Sequence, residues 1–403
     1  MKVTTIPVLV SLRFLVYSQK AYIIVYGQKL NQRTVHKLID NVSYNSVMNA
    51  YTLNAANDDY DSTVEVLRLL QRMEDLGETD DGVKPNAVTF NIVIRSLAKN
   101  GQPENAERVL DKMETYYQEG LKSRGPNTIS FNEVIDAFAK AKNPNKAEEV
   151  LKRMMRISRH EGRKDEIKAD TIAFNTVLHA WATSKSKGAA KRAQQLLDHM
   201  TKIHNSGNKD VKPDVFTYTA TISAWAADRH DPLSCERSID LLHQMENKCA
   251  LGDGDVCPNT VTYTTVVNAL ARSDKKGAAL QAYDILLGME KQYSQGNDDM
   301  KPDLLCYSSV IDAFSKCGES YAGEKSLEVL NRMIGLSEEG KFDISPNTQT
   351  YCSVISALGK SKVKGAADKA QRILNEMEQM HALGNSDVNP NTIIFNAGRK
   401  ILL

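Results

Sequence analysis

The sequence predicts an all-α molecule, an α-solenoid of helix–turn–helix repeats covering residues 40–403, and three observations predict it. First, one phrase recurs. VKPNAVTFNIVIRSLAK from Val83 returns as GPNTISFNEVIDAFAK from Gly125, KADTIAFNTVLHAWA from Lys168, KPDVFTYTATISAWA from Lys212 and CPNTVTYTTVVNALAR from Cys257. It returns again as KPDLLCYSSVIDAFSK from Lys301 and SPNTQTYCSVISALGK from Ser345, with a degenerate copy from Asp40 and a cut-short one from Asn389. Second, the aromatic of the phrase advances by 46, 41, 43, 44, 45, 44, 44 and 44 residues. Third, every full phrase is followed by a second stretch of helical periodicity. A fixed period of this size marks stacked supersecondary units, none of which buries its apolar face alone.

Residues 1–39 stand apart. They carry Lys2, Arg13, Lys20, Lys29, Arg33 and Lys37 and no Asp or Glu, which reads as an organelle presequence or a degenerate leading segment. Arg13 and Lys20 break the apolar run before it reaches the ~20 residues of a membrane span, so no membrane partner is expected.

From Asn41 each unit divides in the same way. Phe90, Val93, Ile94 and Leu97, or Phe131, Val134, Ile135 and Phe138, fall on one face of a first helix. A turn such as KNGQPE or SKSKGAAK follows. The second helix places a small residue (Ala106, Ala147, Ala193, Ser238, Ala282, Ser326, Ala370) two turns before a Met (113, 154, 200, 245, 289, 333, 377). The small side chain admits the paired helix closely and the flexible Met fills the remaining gap. A Gly past the Met (120, 207, 252, 296, 340, 384) suits a left-handed helix stop. Pro then prevents continuation, and Asn or Asp can cap the next first helix. The expectation is about sixteen paired helices and no sheet.

With 51 basic and 50 acidic side chains the net charge is +1, so a nucleic-acid partner would be held by patterned rather than bulk charge. The six cysteines form no CxxC pair and read as small apolar fillers of a reducing compartment. The eight histidines form no HExxH set. No metal, cofactor or catalytic group is expected.

The period is too long for tetratricopeptide units, and HEAT or armadillo units lack the Pro-Asn/Asp step ahead of an aromatic. The phrase "basic-Pro-Asp/Asn, x, Val, Thr, Tyr/Phe, Asn/Thr, …, Ala-Lys", with "Ala…Met" in the second helix, resembles the pentatricopeptide repeat family over about residues 40–403. Here the unit is longer than that family's usual one. About six residues are added between Met and Pro, and mostly about three in the turn between helices, where extra residues map to loops on one face.

The resemblance implies a right-handed superhelix that binds single-stranded RNA, one nucleotide per repeat, mostly in a mitochondrion or plastid. Protein partners would supply any catalysis. Two side chains per repeat would read the base edge: Asn45 with Asn86, Asn91 with Asn127, Asn132 with Asp170, Asn175 with Asp214, Thr219 with Asn259, Thr264 with Asp303, Ser308 with Asn347, and Cys352 with Asn391. Asn donates and accepts, Asp only accepts, and Thr or Ser does either, which suits base reading. Asn and Asp after Pro are also ordinary helix caps. The residue packing on the base would be Val42, Val88, Ile129, Ile172, Phe216, Val261 or Leu305, with Gln349 departing from the pattern. Lys99, Lys140, Arg272, Lys316 and Lys360 recur nine residues after the aromatic and would follow the phosphates, or favour the dipole of their own helix end. The family's pairing rules give the site 5′-YYUUAGAN-3′.

An enzyme is the first rival reading, but no carboxylate cluster or HxE…CxxC stands out and the repeats run to Leu403. The last unit stops soon after its first helix begins, which suggests a longer product in which a C-terminal domain follows. A protein-binding scaffold is the second rival, and it predicts varied rather than restricted polar residues at the reading positions.

Overall fold

The computed structural model describes residues 40–54, 62–160, 166–273, 275–338, 344–384 and 387–389, and two short strands at 23–25 and 28–30. The presequence expectation for residues 1–39 otherwise lies outside the described residues. The strands, β1 (Ile23–Val25) and β2 (Gln28–Leu30), pair antiparallel with Ile23 opposite Leu30. This corrects the expectation of no sheet. The β-branched run Ile23, Ile24 and Val25 suits a pleated strand, a preference that the helical period of the later residues does not touch.

Sixteen helices follow among the described residues, in first-and-second pairs: α1 (Asn41–Asn54) and α2 (Ser62–Gly77), α3 (Ala87–Lys99) and α4 (Pro103–Gln118), α5 (Thr128–Lys140) and α6 (Pro144–His160). Then come α7 (Thr171–Ser184), α8 (Ala189–Asn205), α9 (Val215–Ala227), α10 (Ser234–Ala250), α11 (Thr260–Arg272) and α12 (Ala278–Ser294). The last are α13 (Leu304–Cys317), α14 (Ala322–Glu338), α15 (Thr348–Ser361) and α16 (Ala366–Ala382). The helical-repeat fold is therefore present as the period predicts. The chain forms two compact units: residues 1–184 with 208–211, and residues 185–207 with 212–403.

The core follows the sequence pattern. All seven small residues and all seven methionines of the second helices are buried, as are Phe90, Phe131, Phe174, Tyr218, Tyr307 and Tyr351 of the first helices. Truncating such a Met to Ala costs about 2–5 kcal/mol, because the surrounding structure closes only partly on the gap. First helices start where the sequence supplies a cap. At α3, α5, α9 and α11, Asn86, Asn127, Asp214 and Asn259 each accept from the backbone N–H three residues on, and a Thr or Ser there answers the cap's own N–H. Gly207, after α8, sits at φ +97°, and Gly277, before α12, at +83°, a region where a Cβ is disfavoured.

The added residues between Met and Pro have structure of their own. They form 3₁₀ turns at Asp81–Val83, Lys122–Arg124, Gly254–Val256 and Asp298–Met300. Most repeat boundaries also bury an aliphatic side chain two before the Pro position, namely Val83, Ile167, Val211, Val256, Met300, Ile344 and Val388. A hydroxyl then latches one boundary to the next. Thr128 Oγ1 donates to Glu166 O (3.3 Å), Thr260 Oγ1 to Asp299 O (2.9 Å) and Thr348 Oγ1 to Asp387 O (3.0 Å).

One cysteine expectation is corrected. Cys249, at the end of α10, and Cys257, before Pro258, are joined as a disulfide, while Cys235, Cys306 and Cys352 are buried thiols. The helix end and the following 3₁₀ turn bring the pair together, although their spacing matches no familiar cysteine motif.

Candidate nucleic-acid interface

Each first helix carries its expected base-packing residue and its first reading residue three positions apart, which is the same face of a helix. The packing residues are apolar and yet exposed. Val42, Val88, Ile129, Ile172, Phe216, Val261 and Leu305 show between 49% and 65% of their surface to solvent. Isolated exposed apolar side chains are common, but one per repeat at a fixed register is a built surface. Gln349 takes the same exposed place in the last full unit.

The second reading residue of every described pair is the N-cap of the next first helix. Asn86, Asn127, Asp170, Asp214, Asn259, Asp303 and Asn347 accept through Oδ1 from the backbone N–H of Thr89, Ser130, Ala173, Thr217, Thr262, Cys306 and Thr350. The side chains expected to read bases are therefore also helix caps. Because only an oxygen can accept that N–H, the cap fixes the amide orientation. A capping Asn turns Nδ2, a donor, outward, and a capping Asp turns Oδ2, an acceptor, outward.

Several expected pairs meet in space. Asn91 Nδ2 donates to Asn127 Oδ1 (3.3 Å), and Thr264 Oγ1 donates to Asp303 Oδ1 (3.4 Å). Two further pairs are joined through a third residue, the hydroxyl just before the aromatic of the next unit. Thr219 lies 2.8 Å from Thr262, which donates to Asn259, and Ser308 lies 3.4 Å from Thr350, which donates to Asn347. Ser130 plays this part for Asn91, donating to its Oδ1 at 2.6 Å. Asn45 and Asn132 instead leave Oδ1 buried without a partner. Cys352 is buried, its thiol held above the usual range by desolvation, and its partner Asn391 lies outside the described residues. The third residue was missed in the sequence. Its signal was present in the Thr or Ser that recurs before the aromatic.

The five expected phosphate cations divide into two groups. Lys99 Nζ donates to Thr52 O (3.0 Å), Lys316 to Ala271 O (3.2 Å) and Lys360 to Ser315 O (2.7 Å), each a carbonyl in the last turn of the preceding unit's first helix. These lysines tie neighbouring repeats at their dipole ends, rather than serving only their own helix. Lys140 pairs with Asp136 on its own helix. Arg272 lines an open cavity of about 740 Å³ whose other charged residues are Arg229, Lys275 and Lys316 and the carboxylates of Asp228, Asp231 and Glu236, the last paired with Lys275 at 2.7 Å.

Helical hairpins that repeat one exposed apolar side chain and one polar pair place the chain in the helical-repeat class. The family model for the PPR repeat matches residues 81–114 and 129–158. A search of the curated proteins finds no match. Among solved structures, the chain is similar to the pentatricopeptide repeat protein PPR10 in complex with an 18-nt psaJ RNA element. Identity there is 19% and the TM-score 0.40, over 92% of this chain and 47% of that one. It is also similar to PPR10 from maize, at 18% identity and TM-score 0.35, over 89% of this chain and 56% of that one. This chain therefore spans about half the length of those proteins. Among the described residues no helix is long and apolar enough to cross a membrane.

Proposed function

We propose that the array binds single-stranded RNA in a sequence-dependent way, one nucleotide per repeat, and acts in organellar RNA processing, stability or translation through binding rather than catalysis. The observation that carries this reading is the repeated trio of one exposed apolar side chain, one polar side chain a turn later and one N-cap Asn or Asp from the next unit. The apolar residue packs on a base face, and the two polar residues meet its edge. A scaffold for peptides has no need of that restriction. On this reading the exposed apolar surface is what a stacked base covers.

The discriminating position is the sixth, read by Thr264 and Asp303. Asp303 Oδ1 is committed to the Cys306 N–H (2.7 Å), so Oδ2 faces outward and suits the ring N–H and amino donors of guanine. Asp303→Asn keeps the cap but replaces that acceptor by Nδ2, a donor. In vitro selection on wild-type and D303N protein is expected to move the sixth position from G towards A, by roughly 1–3 kcal/mol. An unchanged G, or no enriched motif in either protein, removes the base-reading role and leaves the scaffold reading.

A further inference from the structure

Two neighbouring Asn readers differ in what holds their carbonyl oxygen. At the second nucleotide position, Ser130 stands before the aromatic of the following unit. Its hydroxyl has one hydrogen, and the shorter of its two acceptor contacts is to Asn91 Oδ1, 2.6 Å against 3.1 Å to Asn127 Oδ1. Asn127 Oδ1 already accepts the cap N–H, so only the amide nitrogen of Asn91 can approach it, as the 3.3 Å Nδ2 contact shows. Asn91 is thereby locked with its acceptor covered and a donor hydrogen left over. At the third position the equivalent residue is Ala173, which has no hydroxyl, and Asn132 Oδ1 is buried without any partner. A buried carbonyl without a donor is costly, and a donor that arrives with a ligand removes that cost.

We propose that the residue preceding the aromatic of each following unit is a specificity-determining position: where its hydroxyl hydrogen goes to the Oδ1 of an Asn reader, that reader offers the base a donor, and where it does not, an acceptor. This rests on the RNA-binding reading above. With Ala173, Asn132 offers Oδ1 to the ring N–H of uracil, which cytosine lacks at that place. With Ser130, Asn91 Oδ1 is already engaged, and its remaining Nδ2 hydrogen suits the ring nitrogen and O2 acceptors of cytosine. The hydroxyl acts through the reader and does not touch the base. Presence of a hydroxyl is not sufficient: Thr89 gives its hydrogen to Asn86 (3.3 Å), and Asn45 Oδ1 stays uncovered, so what matters is where the hydrogen goes.

Two substitutions test the position in opposite directions, with both flanking caps, Asn127 and Asp170, left intact. Ala173→Ser supplies the missing donor and is expected to reduce the preference for U over C at the third nucleotide by on the order of tenfold. Ser130→Ala uncovers Asn91 Oδ1 and is expected to move the second nucleotide from C towards U by a similar factor. Ser130→Thr keeps the hydroxyl and should keep C. Binding is measured on short single-stranded RNAs that differ only at those two nucleotides, with a thermal melt of each variant alongside. If the substitutions change melting or overall affinity but leave both U-to-C ratios at the wild-type values, the residue serves the fold alone and the proposal is wrong. If wild-type protein shows no base preference at any position, the RNA reading itself fails and the proposal falls with it.

Discussion

Glu114 Oε1 is buried without a hydrogen-bond partner, although Oε2 of the same group meets Arg153 at 2.7 Å. Seventeen residues on in sequence stands the ring of Phe131. In two later units the same separation joins a glutamate to a tyrosine hydroxyl: Tyr263 donates to Glu246 and Tyr307 to Glu290, each at 2.7 Å. Burial, followed by the neighbouring glutamate, raises both tyrosine pKa values and keeps those hydroxyls protonated as donors. Phe131→Tyr should therefore supply the donor that Glu114 lacks and raise stability by about 1 kcal/mol. A chemical denaturation midpoint for F131Y at or below that of wild type would mean that the site has no room for the hydroxyl. At this scale the sequence was legible where a residue type recurs. The exposed apolar residues and the buried Ala and Met stand where the period puts them, and some of the polar pairs meet. The orphaned oxygens of Glu114 and Asn132 were not legible, because each follows from the absence of a hydroxyl on another unit, at Phe131 and Ala173.

Helices and turns differ in the same respect. First and second helices could be read because their determinants are local: periodic apolar positions, a cap at the start and Gly at the stop. The added segment before each Pro could be read only as extra length. Its order comes from a buried aliphatic side chain and from a threonine 38 to 41 residues away, partners that no local window contains. The latch is also not universal, since α3, α9 and α13 begin with Ala87, Val215 and Leu304. Thr260→Val removes the donor to Asp299 and Lys301 while keeping the β-branched shape, and should cost about 1 kcal/mol. Val256→Ala at the same boundary removes buried apolar volume and should cost about 1–3 kcal/mol. Urea midpoints for the two variants check both. A Thr260→Val midpoint equal to wild type would mean that the latch adds nothing to the buried aliphatic.

Across the whole chain the balance of 51 basic and 50 acidic side chains leaves little long-range attraction for a polyanion. On the proposed RNA-binding reading, phosphate contacts come from a few cations whose other duties are light. Lys99 and Lys360 are each bonded to a carbonyl of the preceding unit, so replacing them disturbs repeat stacking. Lys140 holds only an exposed pair with Asp136, worth little on a solvated helix, and Arg272 lies beside an open cavity with Arg229, Lys275 and Lys316. Neutralising Lys140 and Arg272 to Gln should therefore weaken binding to all single-stranded RNAs alike, leave base preference unchanged and barely move the melting temperature. Each lost contact should lower the slope of log affinity against log salt by about 0.7, or about 1.4 for the pair. Neutralising Lys99 and Lys360 should instead lower the melting temperature first, with any loss of affinity following the loss of fold. Salt titrations and melts of the two double variants separate these outcomes. A K140Q/R272Q protein with the wild-type salt slope would show that neither residue meets a phosphate, and would shift the search to Arg229.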